Sequence, residues 1–243
     1  MENKELLELY TKMYNNVNVS NPYLRTFVHL STPTRFLFWL YFTAFTFVNV
    51  PILLSILGHC CEVSETSPIV GFMMGCVIAD FISGIVHIYL DNSRIKHDGS
   101  PTDFLRLGFQ VHHLYPQFQW TQNKHFQPHY EANTIFFMNI IVSVINVATF
   151  RSNTLFFVLS LTLLMQANHY WCHAISSNKK VPFVVKWLQS CGILLYYKTH
   201  MKHHTTYDSS FCLLLGWCDP IFNYMFQNKP ILNAFINVVD SIT

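Results

Sequence analysis

Two stretches of this chain stay apolar for the width of a bilayer, and nothing else in the sequence limits its fold so severely. Phe36–Leu57 is 22 residues without a charge, and a hydrocarbon core about 30 Å thick needs about 20 residues at 1.5 Å each. Ile69–Leu90 is equally long but carries Asp80 and His87. Facing lipid, both would be costly, so both are expected to face the protein interior. Two further apolar runs, Thr134–Phe150 and Leu155–Met165, are separated by Arg-Ser-Asn-Thr, short enough for an antiparallel helical pair. The second continues to about Trp171. Four spans are expected, the first kinked or shortened at Pro51.

The composition agrees with a membrane protein. Charged residues make up 12% of the chain, about half of the roughly 25% usual in soluble domains, which leaves too little charge to coat a water-facing surface. The formal charge is +2, with Lys and Arg spread along the chain, so no nucleic-acid partner is expected. The seven cysteines are odd in number and form no C-x-x-C pair, which argues against a zinc ribbon or a disulfide framework. The expected fold is therefore all-α: a multi-span membrane helical bundle of about four transmembrane helices. Residues 1–34 form a cytosolic N-terminal segment and 35–243 a single membrane-embedded domain.

Positive charges near the span ends set the orientation. The segment before span one holds Lys4, Lys12, Arg25 and Arg35, whereas the loop 58–68 holds none. Region 91–133 holds Arg94, Lys96, Arg106 and Lys124, the loop before span four only Arg151, and the tail six lysines. Both termini and both long polar regions are thus expected in the cytosol. Val181–Tyr197, Phe211–Phe226 and Ile231–Val239 read as helices lying in the membrane interface. The opening residues show neither a secretory signal nor an Arg-rich transit peptide, which points to the endoplasmic reticulum.

Thirteen histidines are the feature that a membrane anchor does not explain. Eight fall in four groups: His87 with Asp91, His112 with His113, His169 with His173, and His200 with His203 and His204. Residues at i, i+3 and i+4 of a helix share a face with Cβ atoms about 5–6 Å apart, close enough to hold one ion. All four groups fall on the cytosolic side of a topology derived from Lys and Arg alone. Imidazole suits Zn, Cu, Fe and Ni, and only Cys172 offers a thiol inside a group. No H-E-x-x-H run supplies the general base of a zinc peptidase. Two irons would use most of the donors and leave positions for oxygen. His29, His59, His97 and His129 stand alone and read as ordinary polar or core residues. Asp80 suits helix-to-helix hydrogen bonding as well as a catalytic role.

The runs Ala79–Asp91, Phe109–Pro116, Asn168–His173, Leu188–His204 and Leu215–Trp217 together resemble the lipid desaturase-domain family, over a motif core of about residues 68–220. That family includes plasmanylethanolamine desaturases and a plastid branch acting on palmitate in phosphatidylglycerol. The resemblance implies a metal-ligand set of His87, His112, His113, His125, His169, His173, His200, His203 and His204, with Asp91 as a catalytic residue. It implies two iron ions, O2, and electrons from cytochrome b5 and a reductase. Two departures stand out: Thr199 replaces a family histidine, and His125 lies nine residues past Pro116, farther than the family's histidine at that place.

Removing hydrogen from an unactivated C–H bond needs oxygen activated at a metal rather than a side-chain acid, base or nucleophile. The expected reaction is desaturation of a membrane phospholipid or ether lipid, above all formation of the vinyl ether of plasmalogens. Desaturation near the carboxyl end of a phospholipid acyl chain, or hydroxylation of a membrane lipid, would use the same chemistry. A non-catalytic metal transporter would line a path across the bilayer with polar ligands, and spans one and three lack them.

Overall fold

In a computed structural model, the chain is described over residues 35–56, 67–96, 101–114 and 130–242, together with Glu5 and Glu8. Among the described residues the regular structure is helical and no strand occurs. In chain order the helices are α1 (Arg35–Val48), α2 (Val50–Ile56), α3 (Pro68–Asn92), α4 (Pro101–Leu114), α5 (Tyr130–Ile145), α6 (Asn153–Ser176), α7 (Phe183–Ser190), α8 (Tyr197–Thr206), α9 (Asp219–Gln227) and α10 (Lys229–Ile242). A single π turn, Asn146–Phe150, extends α5.

The long helices start where sequence chemistry dictates. Ser67 caps α3, its hydroxyl accepting the Val70 N–H, and Pro68 follows with its fixed φ. Ser152 caps α6 in the same way through the Leu155 N–H. Between these two starts, α3 and α6 pack against each other along their length. Gly75 allows the close approach, since a Cβ there would sit 2.7 Å from Phe157 Cβ. At Gly84, Phe222 of α9 lays its ring directly on the α3 backbone and is fully buried. Helices α9 and α10 cover that side of α3, and α4 packs on it as well, while α1 lies along α5.

The break in the first apolar run falls at Asn49 rather than at Pro51. The Asn49 amide donates to Phe45 O, one turn back, and to Ser143 Oγ on α5 at 2.9 Å, which ties the break to α5, while Pro51 in the first turn of α2 lacks the N–H that would bond back across it. Helix α6, expected to end near Trp171, runs to Ser176. The tail is less helical than its apolar pattern suggests. The run Val181–Tyr197 is helical only through Phe183–Ser190 and at Tyr197, where α8 begins. Residues 209–218 form an irregular, largely buried strap where the apolar pattern suggests a helix from Phe211 on.

One helix among the described residues, α3, is long and apolar enough to cross a membrane. The first apolar run divides into two short helices, and α5 passes into its π turn. Although α6 has 24 residues, its C-terminal part carries Asn168, His169, Tyr170 and His173.

Candidate metal centre

Eight histidines and Asp91 gather at one end of the α3–α6 pair. His87 and Asp91 come from the last turns of α3, His112 and His113 from the end of α4, His169 and His173 from α6, and His200, His203 and His204 from α8. They form two sets. His112, His169, His173, His200 and His204 make one; His87, Asp91, His113 and His203 make the other; within each, one ligating atom per residue lies within 4.8 Å of every other.

The partition cuts across the sequence motifs. Neighbouring residues on an α-helix point about 100° apart, so a doublet cannot aim both rings at one point. His112 joins the five-histidine set and His113 the other; His204 and His203 divide in the same way. The sets adjoin, with the His113 and His204 rings stacked at 4.4 Å.

In the five-histidine set the Nε2 atoms face one another: His112 to His169 at 3.0 Å, His169 to His173 at 3.3 Å, His173 to His200 at 3.0 Å and His200 to His204 at 3.1 Å. Lone pairs this close repel unless something positive lies between them. Ligand bonds of about 2.1 Å meeting at right angles would set adjacent nitrogens about 3.0 Å apart. Burial, and then the neighbouring imidazoles, hold His200 and His204 neutral well below the ordinary imidazole range. Neutral imidazole is the form that binds metal.

The second set pairs three imidazoles with one carboxylate. Asp91 Oδ1 is 2.9 Å from His113 Nε2, and Oδ2 is 3.3 Å from His203 Nε2 and 3.5 Å from His87 Nε2. None of these contacts has the direction of a hydrogen bond, although the atoms are buried. On the far side of the rings, His87 Nδ1 lies 2.7 Å from Phe211 O and His203 Nδ1 lies 2.9 Å from Ser209 O. A carbonyl can only accept, so in each ring Nδ1 carries the hydrogen and Nε2 presents its lone pair to the centre. Orphaned buried donors and an imidazole–carboxylate composition fit transition metals such as iron.

Cys172, the one thiol inside a histidine group, faces away. Its Sγ points to Leu195 O at 3.8 Å and receives Gln189 Nε2 at 3.5 Å. His125 lies outside the described residues, as do His97 and His129. Sequence patterns did not reveal Tyr207, which ends α8 in the left-handed region at φ 59°. Its hydroxyl donates to His113 O at 3.3 Å and its ring lies 5.1 Å from that of His113. Nor did they reveal Asn168 and Gln189, linked at 2.8 Å beside His169; the Asn immediately before His169 was the available signal.

A family model described as lipid desaturase domain matches residues 76–238. Fatty acid desaturase 4-like 1, chloroplastic, of Arabidopsis thaliana is 32% identical over 158 residues, 61% of this chain and 50% of that protein. Fatty acid desaturase 4-like 2, chloroplastic, of the same plant is 29% identical over 170 residues, 66% of this chain and 55% of the relative. Fatty acid desaturase 4, chloroplastic, is 27% identical over 148 residues, 58% of this chain and 43% of its own length. The chain spans about half the length of the curated relatives it matches. No solved structure matches it.

Proposed function

Because the chain belongs to the lipid desaturase domain family, we propose that it is a membrane-embedded oxidoreductase that desaturates a glycerolipid chain close to the glycerol. The observation that carries this reading is the pair of adjoining donor sets, five histidines beside three histidines and Asp91, at the end of an apolar helix.

Residues 35–243 act as one domain in this reading. Helix α3 crosses the bilayer beside three further spans: α1 with α2, α5 with its π turn, and α6. Large apolar side chains exposed on three of these four support lipid contact: Phe42, Phe47 and Leu54 on α1 and α2, Met73, Val77 and Phe81 on α3, and Met138, Ile141 and Phe150 on α5 and its turn. The histidine cap faces the cytosol, with both termini on that side.

Two irons bound there would supply the O2-dependent oxidising power that an unactivated C–H bond demands. Eight imidazoles and Asp91 would hold them, His125 being a further candidate ligand. Nδ1 hydrogen bonds fix the His87 and His203 rings so that Nε2 is offered without rearrangement. Asp91 is the one anionic group of its set and the natural acceptor for a proton arriving there. Two hydrogens leave the lipid, and O2 becomes two waters by taking these two hydrogens together with two electrons from a donor, here a cytochrome b5-type protein with its reductase, and two protons from water.

Depth supports a reaction near the headgroup. The exposed apolar face of α3 extends to Val86, one residue before His87, and exposed Arg94 and Lys96 follow. Carbons near the glycerol lie at that level. On the primary reading the substrate is the alkyl ether of an ethanolamine lipid, the product is the plasmalogen vinyl ether, and the location is the endoplasmic reticulum. The names of the relatives favour a second reading, desaturation of a fatty acyl chain in a plastid membrane, with the depth of the site again placing it near the carboxyl end.

Expression in plasmalogen-deficient cells, followed by lipid mass spectrometry, tests the proposal. The expected result is a lipid lighter by two hydrogens, with acid-labile vinyl ethers restored. New unsaturation confined to acyl chains selects the second reading. A product heavier by one oxygen would make the chain a hydroxylase, and unchanged lipids alongside zinc-only protein would refute the oxidase.

A further inference from the structure

Asp80 sits inside the membrane helix α3, fully buried, two turns before His87. Its carboxylate is saturated by the backbone of the strap: Oδ1 accepts the N–H groups of Leu215 at 2.8 Å and Gly216 at 3.1 Å, and Oδ2 accepts that of Cys218 at 3.0 Å. One turn later, Ser83 Oγ accepts the Leu213 N–H at 3.1 Å while donating to Asp80 O. After one more turn, His87 donates to Phe211 O. Asp80, Ser83 and His87 stand at i, i+3 and i+7, a single helix face, and they engage the strap in reverse order, 218 to 211. At the strap's far end Ser209 O receives His203 Nδ1.

From this arrangement we propose that Asp80 is a positioning residue for the metal centre. It clamps the strap 209–218 on α3 so that the carbonyls of Phe211 and Ser209 hold His87 and His203 with Nε2 aimed at Asp91 and His113. The inference rests on the metal-centre reading above and adds to it a residue that touches neither metal nor substrate. A buried carboxylate needs a reason to be in an apolar helix, and three strap N–H groups supply one. Those N–H groups have no helical or sheet partner of their own. Without Asp80 they would be buried unpaired, and the strap would shift.

Both rings that donate to the strap belong to the His87–Asp91–His113–His203 set. Loss of the clamp should therefore weaken that set and leave the five-histidine set intact. Outer-shell partners of this kind typically change metal affinity about 10–100-fold.

The test is iron retention by the full chain in detergent, with iron counted per chain while a ferrous chelator is titrated. The wild type should hold two irons. Asp80→Asn, which keeps the shape but turns an N–H donor toward Cys218, should release one iron at about 10–100-fold lower chelator and hold the second as the wild type does. Ser83→Ala removes a weaker clamp and should shift the same iron less, leaving the second iron held as in the wild type; it decides the matter if Asp80→Asn does not fold. A generally structural role predicts something else: both irons lost together with a falling midpoint. That result, or two irons held at wild-type strength in both variants, overturns the clamp alone. A wild-type chain that does not bind two irons overturns the clamp and the metal-centre reading together.

Discussion

The Nε2 atoms of His112 and His169, 57 residues apart in sequence, lie 3.0 Å from each other. Two helices thus aim these nitrogens at one point, and His173, His200 and His204 do the same from α6 and α8. The neighbouring set closes around Asp91 with only three imidazoles. The two sets differ in redundancy, so substitutions at adjacent positions should act differently.

His203→Ala leaves its set three donors, one of them Asp91, whereas His204→Ala leaves its set four imidazoles. The expected outcome is that His203→Ala loses one iron per chain and all product, while His204→Ala retains more iron and some turnover. Metal analysis of the two purified variants checks it. Equal losses would mean that the doublet feeds a single site.

Acid should destabilise the metal-free protein. His200 and His204 are held neutral in the folded chain below the ordinary imidazole value, first by burial and then by neighbouring histidines. Below about pH 6.5 the unfolded chain therefore binds protons that the folded chain refuses, so stability is complete above that pH and declines as pH falls. Both groups act in the same direction, so their effects on stability reinforce each other as pH falls through that window. Thermal midpoints of chelator-treated protein at pH 7.5 and 5.5 should differ clearly. A flat profile would show that these rings are not held neutral.

The spacing of histidines and apolar runs made legible the residues that meet and the helices that carry them, because both follow from a 3.6-residue period. How the doublets divide was not legible, since the direction of each ring depends on how α4 and α8 are rotated against α6. The strap was misread for a related reason. Phe211–Leu215 is apolar enough to suggest a helix, yet its N–H groups are claimed by Ser83, Asp80 and Asp219. Asp80 itself was visible as an anomaly, but its partners lie some 135 residues away.

Helix α4 is tied down by Arg106, which is 1% exposed. Its guanidinium donates to the Tyr89 hydroxyl on α3, approaches Asp240 of α10 at 3.4 Å and stands 3.8 Å from the buried Asp103. Removing one member of a buried charged group leaves the others uncompensated, at a cost of about 3–5 kcal/mol. Arg106→Ala should unfold at markedly lower temperature and lose iron, because His112 and His113 lie on the same helix. Asp240→Asn, at the more exposed edge, should cost about 1 kcal/mol. Calorimetry of both variants separates these expectations, and a mild Arg106→Ala would show that α4 is held by apolar packing alone.

Close backbone approach at Gly84 should be intolerant of any side chain. Gly84→Ala places a methyl against the Phe222 ring, which must move together with α9. Overpacking of this kind costs about 1–3 kcal/mol. Pairing Gly84→Ala with Phe222→Leu should recover part of the loss, because the smaller side chain vacates the space. Thermal unfolding of the single and double variants reads the coupling, and additive losses would place the strain elsewhere.

The outward face of α3 tests membrane insertion most directly. Met73, Val77 and Phe81 recur every four residues, and all three are exposed on the helix that is long and apolar enough to span a bilayer. Water cannot be the intended neighbour of such a stripe. A charge near the middle of a spanning helix costs about 2.5–3.5 kcal/mol on the insertion scale. Val77→Lys should therefore shift the chain from the membrane pellet toward the soluble or degraded fraction after alkaline extraction. Val77→Leu should behave as the wild type does. Asp80, three residues further on, is a polar residue in the same helix, but its side chain faces inward onto the strap N–H groups and so escapes this cost. If Val77→Lys remained in the pellet as firmly as Val77→Leu, the face would be covered by protein rather than lipid, and the placement of the histidine cap at the membrane interface would lose its support.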